Sequence, residues 1–421
     1  MEQKIRDDGS RPVKRIPARK VAAAGIVLVG VVLVGCIVVF GLDKDAATNK
    51  DFLQYWTAEQ LLAHGGNPYD FAATLRVERS VGFKEYPPLI TLSPPVAFFL
   101  ALPLGWVKPM TGLTQWMLLL FACMLASVWV VWLVQGRPQS RYHLIGIFFP
   151  PVLRCLIAGQ LGIFFLLEIA VFLYLQKSRP FWAGAALVFC TLKPHLFLPC
   201  FAVMVLWSFW KREFRMAAGF LAALAASCGL TLLLDRHIWG QYEALMHSSS
   251  IMNQFLPTFG VWLRFLIDPN AKWIEFIPEV AGYVWAAWYF WTRREAWDWA
   301  DQGLLVLVVS VACSPYSWYT DQAVLLPAVV IGLTESERSM KSLVLFGVIA
   351  GIGLVAMMAN ILLTSGFMVW TAPAWLVWYV YARHERTPKD GERRAGNSLE
   401  IKTEGQAPKT CTFLTVFDRG F

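Results

Sequence analysis

A chain of 421 residues with 57% hydrophobic and only 16% charged residues, mean hydropathy +0.50, 20 Trp and 29 Phe carries more apolar surface than a soluble fold of that length can hide. That excludes a soluble enzyme, a disordered protein and a disulfide scaffold, and leaves an all-α, polytopic membrane protein. The net charge of +8 sits in short clusters between apolar runs and at the ends. Such clusters read as topology signals towards an anionic cytoplasmic leaflet, not as a nucleic-acid surface.

The first apolar run, 21–42, follows Arg11, Lys14, Arg15, Arg19 and Lys20. It is long enough to span about 30 Å of hydrocarbon and lacks a small-residue cleavage site, so it reads as an uncleaved first helix with residues 1–20 in the cytoplasm. Further runs cover roughly 89–104, 113–134, 143–157, 161–176, 181–192, 195–209, 216–234, 276–292, 302–313, 321–334, 341–363 and 367–382. Residues 383–421 read as a disordered cytoplasmic tail and 21–382 as the transmembrane domain. Thirteen runs conflict with two cytoplasmic ends, which need an even number of crossings. The run 89–104, with Pro94, Pro95 and Pro103, therefore reads as short or re-entrant, and the expected count is about eleven to thirteen. Seven cysteines, Cys36, Cys123, Cys155, Cys190, Cys200, Cys228 and Cys313, lie in apolar stretches and Cys411 in the tail, with no C-x-x-C. They read as small buried hydrophobes.

If the basic clusters at Lys177/Arg179, Lys211/Arg212/Arg215, Arg293/Arg294 and Arg338/Lys341 face the cytoplasm, the polar segments 43–88, Gly159-Gln160, Lys193-Pro194-His195, 235–275 and 314–320 share the opposite face. In 43–88, Phe52, Tyr55, Trp56, Glu59 and Leu62 fall at helical spacing. An amphipathic helix along the interface is expected there, capped by Asn49 and closed by Gly65-Gly66. Asn67-Pro68-Tyr69-Asp70 reads as a turn into a second short helix. Asp51 is either a carboxylate favoured by the helix dipole or a general base at the mouth of a cavity. Lys193, set in strongly apolar sequence, is either a snorkelling lysine or the partner of an anion such as a lipid phosphate. His195 stays open between base, phosphate donor and filler. Gln160 donates to a sugar hydroxyl or caps a turn. Asn253, Gln254 and Arg264 suit a sugar or phosphate site. Asp321 starts a helix, and Glu168 and Asp235 receive no role. Nucleotide-binding, metalloprotease and hydrolase motifs are missing. No acidic pair stands beside Asp51, so neither metal nor cofactor is expected.

Taken in order, Asp51-Phe52, Tyr55-Trp56-x-Ala58, Gly65-Gly66-Asn67-Pro68-Tyr69-Asp70 and Tyr86-Pro87-Pro88-Leu89, then Gly159-Gln160, Lys193-Pro194, Asn253-Gln254 and Ser314-Pro315-x-Ser317-Trp318 resemble the polyprenol-phosphate-mannose-dependent glycosyltransferases of family 87. The resemblance spans roughly residues 20–380. It implies a GT-C architecture opening to the extracytoplasmic side and transfer of a sugar, typically mannose, from a polyprenyl-phosphate donor to a lipid or glycan acceptor. It also implies a metal-free site with Asp51 in the general-base position. Two positions depart from the family pattern: Tyr319-Thr320-Asp321 stands where an Asp-His is common, and Phe255 where Ser is.

Elementary chemistry adds roles. The departing phosphate needs a cation, for which Lys193, with His195 and Arg264, is a candidate. The acceptor hydroxyl needs a base, and Asp51 acting alone in an in-line displacement inverts the anomeric carbon. Tyr55, Trp56, Tyr86 and Trp318 are candidate platforms for the sugar or the prenyl chain, or else an interfacial aromatic belt. Gln160, Asn253, Gln254 and Asp321 complete the sugar and acceptor set. A transporter or lipid flippase for a phosphorylated lipid is the alternative; it explains the helices and the intramembrane lysine but not an aspartate beside an interfacial helix pair.

Overall fold

The computed structural model of the chain describes residues 47–48, 51–248, 256–337, 339–359, 361 and 365–385. The first apolar run, Asn49, Asn253, Gln254, Phe255 and the tail from residue 386 on lie outside them. The described residues form sixteen α-helices joined by short 3₁₀ turns, with no strand among them. This is the all-α architecture that the composition requires.

Three helices, Pro109–Val134, Arg215–Leu234 and Met340–Met358, are long and apolar enough to cross a membrane. Little of each is buried, and side chains such as Trp129, Leu221, Leu233, Val344 and Met358 stand exposed. A greasy, exposed helix is stable only where the solvent is itself apolar. The interior is built instead from Leu304–Cys313 and Leu326–Glu335, which bury nine and eight of their ten residues. Between packed helices in lipid the hydrophobic effect contributes little, and close packing must hold them together. Pro180–Ala185 and Arg215–Leu234 show how. A methyl carbon on Gly184 would lie 1.8 Å from the Met216 carbonyl, and one on Gly219 1.8 Å from that of Phe181. The two backbones touch through reciprocal glycines.

Several apolar runs are broken rather than spanning. The run 89–104 becomes a 3₁₀ turn Pro95–Ala97, a four-residue helix Phe98–Ala101 and a second 3₁₀ turn Leu102–Trp106. Its prolines remove the backbone donors that a continuous helix needs. The run 181–192 breaks after Ala185 into the 3₁₀ turn Val188–Leu192. Glu168, which had no assigned role, accepts the Phe189 N–H at 2.8 Å and satisfies that break. Buried backbone outside a helix requires such partners.

The helix Phe52–Ala63 ends as expected: Gly65, at φ +73°, and Gly66 return their N–H groups to Leu62 and Leu61 at 3.1 and 2.7 Å. Its setting differs from the amphipathic expectation. Eight of its twelve residues are buried, Leu53 and Ala58 among them. It packs against Phe71–Ser80, Phe98–Ala101, the 102–106 turn and Pro109–Val134. Leu53 and Ala58 widen the apolar stripe beyond one face, so the helix packs into the protein on more than one side. The turn at 67–70 opens a second helix as expected. Asn67 Oδ1 accepts the Tyr69 N–H at 2.9 Å, and Asp70 caps Phe71–Ser80 through the Ala73 N–H at 2.5 Å.

Candidate functional site

The site grows from a helix end. Pro150–Ala158 stops at Gly159, whose φ of +73° a side chain would resist. The N–H groups of Gly159 and Gln160 turn back to the carbonyls of Leu156 and Cys155 at 3.1 and 3.0 Å, a Schellman closure. The Ala158 carbonyl accepts the Asp51 N–H at 3.1 Å, joining two segments more than a hundred residues apart. The turn thereby delivers the Gln160 side chain to Asp51.

Gln160 Nε2 donates to Asp51 Oδ2 at 2.5 Å, and Gln160 Oε1 accepts the Tyr55 hydroxyl at 3.3 Å. With both ends of the amide occupied, its orientation is set by the network. Trp116 supports the group from below. Its Nε1 donates to the Gly159 carbonyl at 2.8 Å and its ring lies 5.5 Å from that of Tyr55. Asp51 heads its helix without capping it, because its side chain makes no bond to the helix's own first turn. The partly exposed carboxylate is turned to Gln160.

A second polar group lies alongside. Lys193 sits in the break between the 3₁₀ turns Val188–Leu192 and Pro194–Leu196. Its Nζ donates to Asp321 Oδ1 at 2.7 Å, and the other carboxylate oxygen accepts the Trp318 N–H at 2.9 Å. Asp321 is fully buried and the Lys193 side chain is 15% exposed. Lys193 is therefore no free cation awaiting a phosphate: its charge is already balanced by Asp321, which takes one of its three N–H donors. Asp321, expected among the sugar and acceptor contacts, instead holds the lysine. It belongs to the 3₁₀ helix Tyr319–Leu325, all of whose seven residues are buried; a 3₁₀ run of that length is uncommon and marks a constrained place. His195 packs its ring 5.1 Å from Tyr316, and its Nε2 is buried with no hydrogen-bond partner. Trp318 Nε1 donates to the Tyr316 hydroxyl at 3.4 Å.

The two groups form one site. Burial foremost, then the charges of Asp51, Cys155, Asp321 and Tyr316, push the Tyr55 phenol well above its ordinary pKa. One hydroxyl thus feels both carboxylates. Cys155 Sγ donates to the Gln160 carbonyl at 3.4 Å. The Thr320 carbonyl lies 2.8 Å from where Gly162 would carry a methyl carbon, so the 159–162 turn rests directly on the Asp321 segment.

Other expected residues lie elsewhere. Trp56 is buried, with its Nε1 spent on the Val107 carbonyl at 2.9 Å, and has no face left for a sugar. Tyr86 is 72% exposed, and its ring meets that of Phe71 edge-on at 5.8 Å. Arg264 is buried against Glu275, Nη1 to Oε1 2.5 Å, in a separate hairpin. Asn253 and Gln254 are among the residues not described. Conversely, Trp116, Cys155 and Tyr316 enter the site without having been singled out. Tyr316 occupies the variable position of Ser314-Pro315-x-Ser317-Trp318, and that placement was its only signal.

Near the site the core leaves a small apolar cavity of about 40 Å³, walled by Phe172, Leu187, Phe197, Phe201, Trp299 and Leu307 among others. Phe197, one of its walls, follows His195 by two residues.

The model of Glycosyltransferase family 87 matches residues 92–315, more than half of the chain. The match includes Gln160, Lys193, His195 and Arg264; it begins after Asp51 and ends before Trp318 and Asp321. Among the curated proteins and the solved structures, none matches.

Proposed function

We propose, from the premise that the chain belongs to glycosyltransferase family 87 and is a membrane glycosyltransferase, that it moves a sugar, typically mannose, from a polyprenyl-phosphate donor to a lipid or glycan acceptor at the extracytoplasmic side of the membrane. The observation that carries this reading is the Gln160 amide, which holds the Asp51 carboxylate at 2.5 Å beside the Lys193–Asp321 pair.

In the proposed reaction the acceptor oxygen attacks the anomeric carbon while the bond from that carbon to the phosphate oxygen breaks. The acceptor proton passes to Asp51, and polyprenyl phosphate departs with the electron pair. The displacement inverts the anomeric centre. An acceptor hydroxyl has a pKa far above neutrality, so a carboxylate placed on its proton supplies the base. Charge builds on the departing phosphate, and the Lys193 ammonium stabilises it. Asp321 keeps Lys193 extended into the site, so no reorganisation is needed as the charge appears. Gln160 orients the base. Tyr316 and Trp318 offer faces for the sugar.

Purified protein in lipid nanodiscs, supplied with polyprenyl-phosphate mannose and a membrane lipid extract, should form a mannosylated product. Absence of product with every polyprenyl-linked sugar tried would overturn the donor assignment. An Asp51→Asn variant that keeps its activity would overturn the base.

A further inference from the structure

Residues 256–275 read from the sequence as part of the polar outer segment 235–275. Their structure is organised the opposite way. The helix Phe259–Ile267 has one charged residue, Arg264, and buries it to 3% exposure, while Leu266 and Ile267 stand 66% and 62% exposed beside the exposed rings of Trp262 and Phe265. Arg264 is neutralised internally by Glu275, whose side chain is equally buried. A helix in water turns its charge out and its apolar residues in; this one does the reverse. Pairing charges inside and facing apolar residues outward is what a hydrocarbon solvent demands.

Two further observations identify what covers this face. The exposed apolar surface continues through Trp273 into the helix Ile277–Arg293, where Val280, Val284 and Trp288 repeat every four residues as one exposed stripe. Polar exposure is confined to the tip, at Asp268, Asn270 and Lys272. The hairpin is also rigid at its crossing. A methyl carbon on Gly260 would lie 2.2 Å from the Glu275 carbonyl, so the helix and the 272–276 turn meet backbone to backbone.

We infer that the 256–276 hairpin is immersed in the membrane, with the exposed face of Phe259–Ile267 against lipid acyl chains and the 268–272 tip at the headgroups. The immersed helix is tied to the candidate site. Thr258 caps it through the Val261 N–H at 3.2 Å, and the same hydroxyl donates to the Pro315 carbonyl at 3.1 Å. A segment held by lipid thus braces the loop that carries Tyr316 and Trp318. The inference does not depend on the donor or the reaction.

The test uses the full, unaltered chain in vesicles containing a phosphatidylcholine with a diazirine on one acyl chain. After irradiation, adducts are mapped by peptide mass spectrometry, with the membrane helix Met340–Met358 as internal reference. Adducts on 259–267 are expected at about half or more of the reference yield, with residues 268–272 largely unlabelled, as a helix at the acyl boundary requires. A labelled reference with a bare 259–267 segment would overturn the inference, whether water or a second copy of the chain covers the face.

Discussion

Asp321→Asn tests the link between packing and chemistry most sharply. Asp321 is fully buried, and its two oxygens take the Lys193 ammonium at 2.7 Å and the Trp318 N–H at 2.9 Å. An asparagine keeps the shape and an acceptor but leaves the lysine charge uncompensated. Removing one partner of a buried pair costs roughly 3–5 kcal/mol, mostly the penalty on the charge left behind. The Lys193 side chain keeps 15% exposure, so the lower end, about 3 kcal/mol, applies. That is roughly two powers of ten in the folded-to-unfolded ratio. Because unfolding of membrane proteins in detergent is commonly irreversible, the readout is the half-life at fixed temperature in identical micelles. Adding Lys193→Met to Asp321→Asn removes the orphaned charge and should restore the half-life to near the parent value while transfer stays lost. An unchanged half-life in the single variant, or a double variant no more stable than the single, would refute the paired-charge argument.

Asp51→Asn should lower kcat by about 10²- to 10⁴-fold, the worth of a general base, with the thermal midpoint unchanged; Gln160→Leu should lower kcat with little change in donor KM, as expected of a residue that positions the base. Gly159→Ala should destabilise the protein by about 1–2 kcal/mol, the cost of a left-handed residue; the added methyl also lies 3.3 Å from Phe52 Cβ, so thermal unfolding and activity should fall together. Trp56→Phe should cost about 1 kcal/mol of stability through the lost bond to Val107 and leave donor affinity intact; a weakened donor affinity would return Trp56 to the binding site. Burial raises the Glu78 carboxyl from an ordinary 4.5 to about 7, against the lowering effect of the Leu89 N–H. A carboxyl whose folded pKa is raised contributes its stability in full below the unfolded value and loses it as pH rises through the folded one. The 71–89 segment should therefore resist proteolysis best below about pH 4.5 and progressively less as pH rises towards 7, and Glu78→Gln should flatten that profile.

The elements that bear the site were legible unevenly. Gly159-Gln160 stood out because a glycine and an amide interrupt apolar sequence, and the glycine's left-handed turn explains both the helix end and the direction of the amide. Lys193 stood out because an ammonium in apolar surroundings must find a partner. That the partner is Asp321, a protein carboxylate, was not legible, since the two are 128 residues apart and nothing local encodes their meeting. Trp56 and Tyr55 are neighbours with the same aromatic character, yet one is spent on Val107 and the other faces Gln160. Arg264 has the residue type of a phosphate ligand, but Glu275, eleven positions along the chain, folds back and neutralises it.

Composition and the spacing of apolar residues therefore determined, unaided, that this is an all-helical membrane chain, where most of its runs begin, and which few polar residues are too costly to be incidental. Those properties are local: they depend on what one stretch of chain can bury or expose. The tertiary structure alone decided which polar residues satisfy one another and which stay available to a substrate. Pairing needs contact within a few ångströms between distant segments, and in a medium without water each donor and charge must find its partner within the fold.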